Sequence, residues 1–307
     1  MNLSKDELLE SFKEILKIDN ISYDDSFFEL GGDSFDAIRL LHKLNLDIKI
    51  IDIFNNPSIN SLFEVIENGG IYHNKLIRLN SNKVETEDTV VIAIPYGGGD
   101  VSIYKNFSKF VSNIPVYSVD TSEIIISSID EFEHSVELIA EQIVLMGVKK
   151  AILYGHCAGS ALALYLEKKL KTKIEVELFL AASIPILSPD EALSEFDRTT
   201  DADWEKYLHE IGGLKGLNSN EISKMLKKGR HDHIVSILSF KSILSGNSKS
   251  KATLIFGTCD PVTCNLEKVK QEWNNYISFS AIVEIPNAGH YFINDYADRV
   301  VEVLKIN

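Results

Sequence analysis

The sequence lacks any apolar run near the roughly 18 residues a membrane-spanning helix needs, which excludes a helical span. It also lacks a signal peptide: the opening MNLSKDELLESFKEIL is charged and amphipathic. A cytoplasmic location is the expectation. Cysteine is scarce, and the odd, uneven set Cys157, Cys259 and Cys264 excludes a disulfide framework or a four-ligand zinc site, so reduced thiols and no metal are expected. Glycine (17) and proline (7) are too few for a collagen-like or low-complexity chain. Positive charge is in deficit, 31 Lys+Arg against 45 Asp+Glu, and the net −14 disfavours nucleic acid and anionic membranes as partners. Residues 1–70 hold 14 acidic and 6 basic side chains, so the acidity is concentrated at the N-terminus.

What is present fits two domains, since 307 residues is about twice the roughly 150 of a typical domain. Leu8, Leu9, Phe12, Ile15 and Leu16 recur at helical spacing behind a Ser4/Glu7 capping box, predicting a helix over about 5–17. A second helix starts at Ser34, with shorter pieces at Ile50–Phe54 and Ser58–Ile66, which together predict a small four-helix bundle over 1–70. Residues 71–78 read as linker, with an edge strand around Leu76–Leu79. From 79 onward, short β-branched runs (Val90–Ile94, Val116–Val119, Ala151–Tyr154, Val176–Leu180, Ala252–Phe256, Ala281–Ile285) alternate with helical stretches, predicting βαβ crossovers and a mostly parallel sheet. The interval between Leu180 and Ala252 is too long for a simple crossover, and residues 186–250 read as a helical lid with patches at Trp204–Ile211 and Glu221–Lys228.

Phe28-Glu29-Leu30-Gly31-Gly32-Asp33-Ser34-Phe35 places a serine at a helix start after a flexible turn. Local chemistry allows a plain N-cap serine or a hydroxyl presented to a modifying enzyme. The stretch resembles the L-G-G-D-S-L/I motif of carrier proteins, in the form found in peptidyl carriers of nonribosomal peptide synthetases. Phe35 replaces the usual Leu or Ile. That resemblance implies covalent 4′-phosphopantetheine on Ser34, a phosphopantetheinyl transferase as partner, and acidic side chains that speed encounter with basic partner surfaces.

Ile152-Leu153-Tyr154-Gly155-His156-Cys157-Ala158-Gly159-Ser160 is a strand running through G-x-C-x-G into a helix, the pattern of a nucleophile elbow with cysteine in place of serine. A helix N-terminus lowers a thiol pKa and offers N–H groups to an oxyanion. Later strand ends carry Asp260 and His290, giving the order nucleophile, acid, base. Residues 76–307 resemble the thioesterase domains of peptide and polyketide synthetases: Ile94-Pro95-Tyr96-Gly97-Gly98-Gly99 is similar to their oxyanion loop, and Ala288-Gly289-His290-Tyr291-Phe292 to the segment around their histidine. The resemblance implies a Cys157–His290–Asp260 triad, an oxyanion hole from backbone N–H groups of Ala158 and of Tyr96 or Gly97, and a structural His156. An acid after the strand Leu254–Phe256 is more like proofreading (type II) thioesterases, whereas many chain-terminating domains have it where this sequence shows Ala181-Ala182-Ser183.

The expected class is thus α plus α/β: a carrier bundle (1–70), a linker (71–78) and an α/β-hydrolase thioesterase (79–307) with a helical lid. The expected function is the termination unit of a nonribosomal peptide, antibiotic-type assembly line. It would take an acyl or peptidyl chain from upstream adenylation and condensation domains and release it through an acyl-enzyme on Cys157. A thioester acyl-enzyme favours aminolysis or cyclisation over hydrolysis. The alternatives are a proofreading thioesterase, disfavoured by the carrier fused in cis, and a carrier joined to a non-catalytic docking scaffold. The residue itself is compatible with a native cysteine or with an engineered replacement of serine.

Overall fold

The computed structural model describes residues 3–44, 52–53, 56–67, 75–80, 88–244 and 249–306. The chain divides into two compact units, Met1–Lys75 and Leu76–Asn307.

In the first unit, α1 (Lys5–Leu16) opens on a capping box: the Glu7 N–H donates to Ser4 Oγ (3.2 Å) while the Ser4 N–H donates to Glu7 Oε2 (2.8 Å). Its apolar stripe, Leu8 and Phe12, is buried in one cluster with Phe27, Leu40, Ile53, Ile59 and Leu62, joining α2 (Ser34–Leu44) and α3 (Ile59–Glu67). The fourth piece expected at Ile50–Phe54 lies mostly outside the described residues. Gly31 takes φ +98°, and a Cβ on Gly32 would sit 2.5 Å from the Phe27 ring, so the turn before Ser34 needs both glycines.

Among the described residues the second unit holds a seven-stranded sheet in the order β1-β3-β2-β4-β5-β6-β7. The strands are β1 (Leu76–Arg78), β2 (Thr89–Ile94), β3 (Val116–Val119), β4 (Lys150–His156), β5 (Glu175–Ala181), β6 (Ser250–Gly257) and β7 (Ile277–Ile285). Only β1 runs antiparallel, pairing Leu76 with Val119. The edge strand expected around Leu76–Leu79 is β1, and its residues, counted within the linker by the 71–78 bounds, belong to the second unit. Their backbone pairs with β3, and Leu76 is buried.

Covered on both faces, β2 reads as continuous apolar sequence. Val90, Ile92 and Ile94 enter the core beneath α5 (Ile129–Leu145) and α6 (Gly159–Leu170), whereas Val91 and Ala93 join the opposite core with Tyr104, Phe107 and Val300. That second face carries α4 (Lys105–Lys109), α11 (Phe292–Asp295) and α12 (Ala297–Leu304).

The segment expected to be lid holds α7 (Pro189–Phe196), α8 (Asp201–Glu210) and α9 (Ser219–Leu244), followed after β6 by α10 (Leu266–Trp273). Part of it is core. From Val235 on, α9 packs along α6, with Val235, Leu238, Phe240 and Ile243 in the main core, and it serves as the crossover between β5 and β6. Ser236, Ser239 and Ser242 dilute its apolar pattern in the sequence; Ser239 satisfies its buried hydroxyl by donating to the Val235 carbonyl (2.7 Å).

Candidate active site

Cys157 lies between the end of β4 and the start of α6 with φ +51°, in the left-handed region that non-glycine residues rarely adopt. Its N–H donates to the Ala181 carbonyl (2.8 Å) and its carbonyl accepts from Ser160 N–H (3.0 Å), which hold the turn. The flanking glycines are required sterically. A Cβ on Gly155 would lie 2.5 Å from the Gly159 carbonyl oxygen, and one on Gly159 would lie 2.4 Å from the Ile94 oxygen. Cys157 is half-buried at the N-terminus of α6.

Asp260 follows β6 and His290 follows β7. These loops meet because Gly257 has no side chain: a Cβ there would be 2.3 Å from the Ala288 oxygen. His290 Nδ1 is 3.0 and 3.1 Å from the two Asp260 carboxylate oxygens. Asp260 also accepts from Val262 N–H (2.9 Å) and the Thr263 hydroxyl (2.8 Å). Burial alone would raise its pKa, but these donors and His290 hold it below the usual carboxylate value. His290 is buried. Burial would lower its pKa; the charge of a Cys157 thiolate, followed by the bond to Asp260, raises it instead to about 10. The structure thus joins His290 to Asp260 directly and sets Cys157 against the imidazole as both a charge and a hydrogen-bonding neighbour.

His156 has a positional role. Burial, reinforced by His290, lowers it to about 3, so it is neutral. Its Nε2–H donates to the His290 carbonyl (2.8 Å), leaving Nδ1 to accept from the Tyr154 hydroxyl (2.9 Å). Of the expected oxyanion donors, Gly97 and Ala158 line the cavity beside Cys157, and a Cβ on Gly97 would lie 3.6 Å from that of Ala158. Tyr96, expected to act through its backbone N–H, packs its ring against Tyr291 (centroids 4.7 Å apart). The Gly98 N–H is occupied by Asp232, and the Gly99 N–H by the Tyr96 carbonyl.

Two cavities meet at Cys157 and Ala158. The larger, about 390 Å³, is walled by Phe196, Trp204, Tyr207, Leu208 and Ile211 of α7, α8 and the residue after it. The smaller, about 200 Å³, runs along Ala182–Ile186 toward Phe240. His233 borders both; burial, helped by Arg230, lowers its pKa to about 4. These lining residues carry no motif and were not singled out from sequence. Cys259 and Cys264 are exposed. Among the described residues no cluster of three or more His, Cys, Asp or Glu could hold a metal, and no helix is long and apolar enough to cross a membrane.

Residues 6–66 match the family described as the phosphopantetheine attachment site, so the first unit is a carrier domain. Over 237 residues the chain is 24% identical to surfactin synthase subunit 3 of Bacillus subtilis (strain 168), covering 75% of this chain and 18% of that protein. It therefore spans less than a fifth of that relative. The second unit has the fold of the RedJ thioesterase from the prodiginine biosynthetic pathway in Streptomyces coelicolor, with TM-score 0.59 and 18% identity over 74% of this chain and 89% of that one. It also matches YbtT, a type II thioesterase from the yersiniabactin pathway, with TM-score 0.58 and 18% identity over 76% and 97% of the two chains. The chain thus joins a unit that matches the phosphopantetheine attachment-site family to a unit with the fold of these thioesterases, and in sequence it is similar to part of surfactin synthase subunit 3.

Proposed function

We propose that the chain is a carrier–thioesterase pair that releases an acyl or peptidyl chain in nonribosomal peptide synthesis, with Cys157 as nucleophile, His290 as acid and base, and Asp260 as its orienting partner. The observation that carries this reading is the strained cysteine elbow beside a buried His290–Asp260 pair, in a thioesterase fold fused to a carrier domain. Ser34 fits the attachment of phosphopantetheine: a serine at the first residue of α2, behind a turn that only glycines can make. When bound, that arm supplies a terminal thiol that holds the chain as a thioester. A phosphopantetheinyl transferase and upstream synthetase domains are the partners this reading requires.

The Cys157 thiolate attacks the thioester carbonyl, and the N–H groups of Gly97 and Ala158 stabilise the oxyanion. As the tetrahedral adduct collapses, the bond from carbon to the leaving sulfur breaks, and His290 gives its Nε2 proton to that thiolate. In the second half His290 takes a proton from water or an amine as it attacks the acyl-Cys157 thioester. The carbon–Sγ bond then breaks, yielding acid or amide. The acyl-enzyme remains a thioester and so stays reactive toward amines, which favours aminolysis or cyclisation.

A second reading, removal of misloaded cargo, draws on the position of the acid. Asp260 follows β6, while the end of β5 offers Ala181, Ala182 and Ser183 and no carboxylate. Intact-protein mass spectrometry tests the main proposal. After loading from an acyl-coenzyme A by a transferase, acyl-phosphopantetheine is expected on the Ser34 peptide; the acyl mass then moves to the Cys157 peptide and leaves as free product, while the phosphopantetheine mass stays on Ser34. Cys157→Ala is expected to stall with the load on Ser34. Equal clearance by wild type and Cys157→Ala would remove Cys157 from the mechanism. Clearance of a mismatched carrier in trans as fast as its own would favour the second reading.

A further inference from the structure

The oxyanion loop turns at Tyr96–Gly99, closed by the Gly99 N–H donating to the Tyr96 carbonyl (2.9 Å), with Gly98 at φ +84°. Two adjacent glycines give this turn little stiffness of its own, and rotation of the Gly97–Gly98 peptide would redirect the neighbouring N–H groups. That peptide is held from outside. The Gly98 N–H donates to Asp232 Oδ2 (2.9 Å), contributed by α9 from 134 residues away. Asp232 is buried, and two side chains donate to it, while the His231 ring, whose Nε2 donates to the Ile124 carbonyl (3.0 Å), only borders it. The Thr121 hydroxyl reaches Oδ1 (2.7 Å), Lys228 Nζ reaches both oxygens (3.0 and 2.9 Å) and also Thr121 (2.5 Å), and His231 Nδ1 lies 3.5 Å from Oδ1.

The helix also fits the loop sterically. A Cβ on Gly98 would strike Met225 at 2.7 Å, and Gly229 faces the loop, its own Cβ position 3.7 Å from the Gly98 nitrogen. A lone backbone N–H needs only one neutral acceptor. A buried carboxylate fixed by two side chains supplies instead an acceptor that cannot rotate away.

We infer that Asp232 is a positioning residue for the oxyanion loop: it clamps the Gly98 N–H, which keeps the Gly97 N–H aimed at the acyl oxygen beside Cys157. Lys228 and Thr121 hold the clamp. The inference rests on the acyl-enzyme reading above. Mispositioning one oxyanion donor costs on the order of 10²-fold in turnover.

The test compares two reactions of one thiol. Thioester turnover passes through an oxyanion; alkylation of Cys157 by iodoacetamide, which displaces iodide from a saturated carbon, does not. In Asp232→Ala, kcat for a soluble acyl-pantetheine thioester is expected to fall about 10- to 100-fold with KM within about threefold, while Cys157 alkylates at the wild-type rate. Asp232→Asn, which keeps an acceptor for Gly98, is expected to retain most of the activity. Asp232→Ala/Lys228→Met removes the charge left unpaired, and the same split between turnover and alkylation is expected there if the single variant does not fold. Alkylation and turnover falling together would show a merely structural residue and overturn the inference, as would turnover unchanged in Asp232→Ala. A wild-type protein whose turnover survives complete alkylation of Cys157 would instead overturn the nucleophile assignment.

Discussion

Replacing Asp260 by Asn tests the proposed triad with least change of shape. Oδ1 accepts from the fixed Val262 N–H (2.9 Å), so the amide oxygen must stay at that position. The new NH₂ then falls at the Oδ2 site, beside the Thr263 hydroxyl, which can rotate to accept, and 3.1 Å from His290 Nδ1. Nδ1–H keeps the amide oxygen as an acceptor at 3.0 Å, but the NH₂ beside it is a competing donor that favours moving the proton to Nε2, where the ring can no longer accept one. The charge is lost as well. At 3.0 Å and an effective dielectric of about 20, a carboxylate–imidazolium contact is worth about 5 kcal/mol before desolvation is subtracted. If half survives as net stabilisation of the imidazolium, acylation slows about 10²-fold, and the wrong tautomer adds to that. The expected loss is on the order of 10²–10³, smaller than for a serine nucleophile because a thiol ionises without full help from a base. Single-turnover acylation across pH 6–11 measures it. The wild-type rate is expected to hold until the imidazolium deprotonates near pH 10, and this alkaline limb should move down by at least about one unit in Asp260→Asn. A variant within threefold of wild type with an unmoved limb would refute the reasoning.

Ser34→Ala is expected to abolish the mass gain on incubation with coenzyme A and a transferase; a retained gain would place the arm elsewhere. Hydrogen exchange is expected to be fast in α7 and α8 but slow in α9 from Val235 to Ile243, where the helix belongs to the core, so uniform exchange along α9 would contradict its division. His156 is buried neutral with its pKa lowered to about 3, so the unfolded chain binds its proton first. That contribution is present above about pH 6.5 and is lost as pH falls toward 3, reaching of order 4 kcal/mol. Thermal melts between pH 7 and 4 should therefore show a shallower acid loss in His156→Gln than in wild type.

The parts of this protein that were legible in its sequence are those in which local sterics and function coincide. G-x-C-x-G could be read as an elbow because Gly155 and Gly159 face backbone atoms closer than any Cβ tolerates. Strands such as Thr89–Ile94 announced themselves through burial on both faces. What escaped depends on residues far apart. The division of α9 into lid and core is hidden by serines on a buried face. The aromatic wall of Phe196, Trp204 and Tyr207 follows no motif. The Asp232–Gly98 contact links positions 134 residues apart through one carboxylate, and no periodicity signals it.

In the mechanism proposed above, the arrangement around His290 lets one imidazole serve two opposite steps. While Cys157 is a thiolate, its charge is the largest influence holding the imidazolium against burial, so the proton needed by the leaving thiol is already in place. Acylation converts that thiolate to a neutral thioester and removes the influence. Burial then acts against Asp260 alone, and the histidine, having given up its proton, is left as a base facing the carbonyl that water or an amine must attack. The switch needs no movement of the ring, whose far side is fixed by Asp260 and whose backbone is tied through its carbonyl to neutral His156. Acid and base roles therefore alternate with the acylation state of Cys157, because the group that tunes His290 is the group that carries the acyl chain.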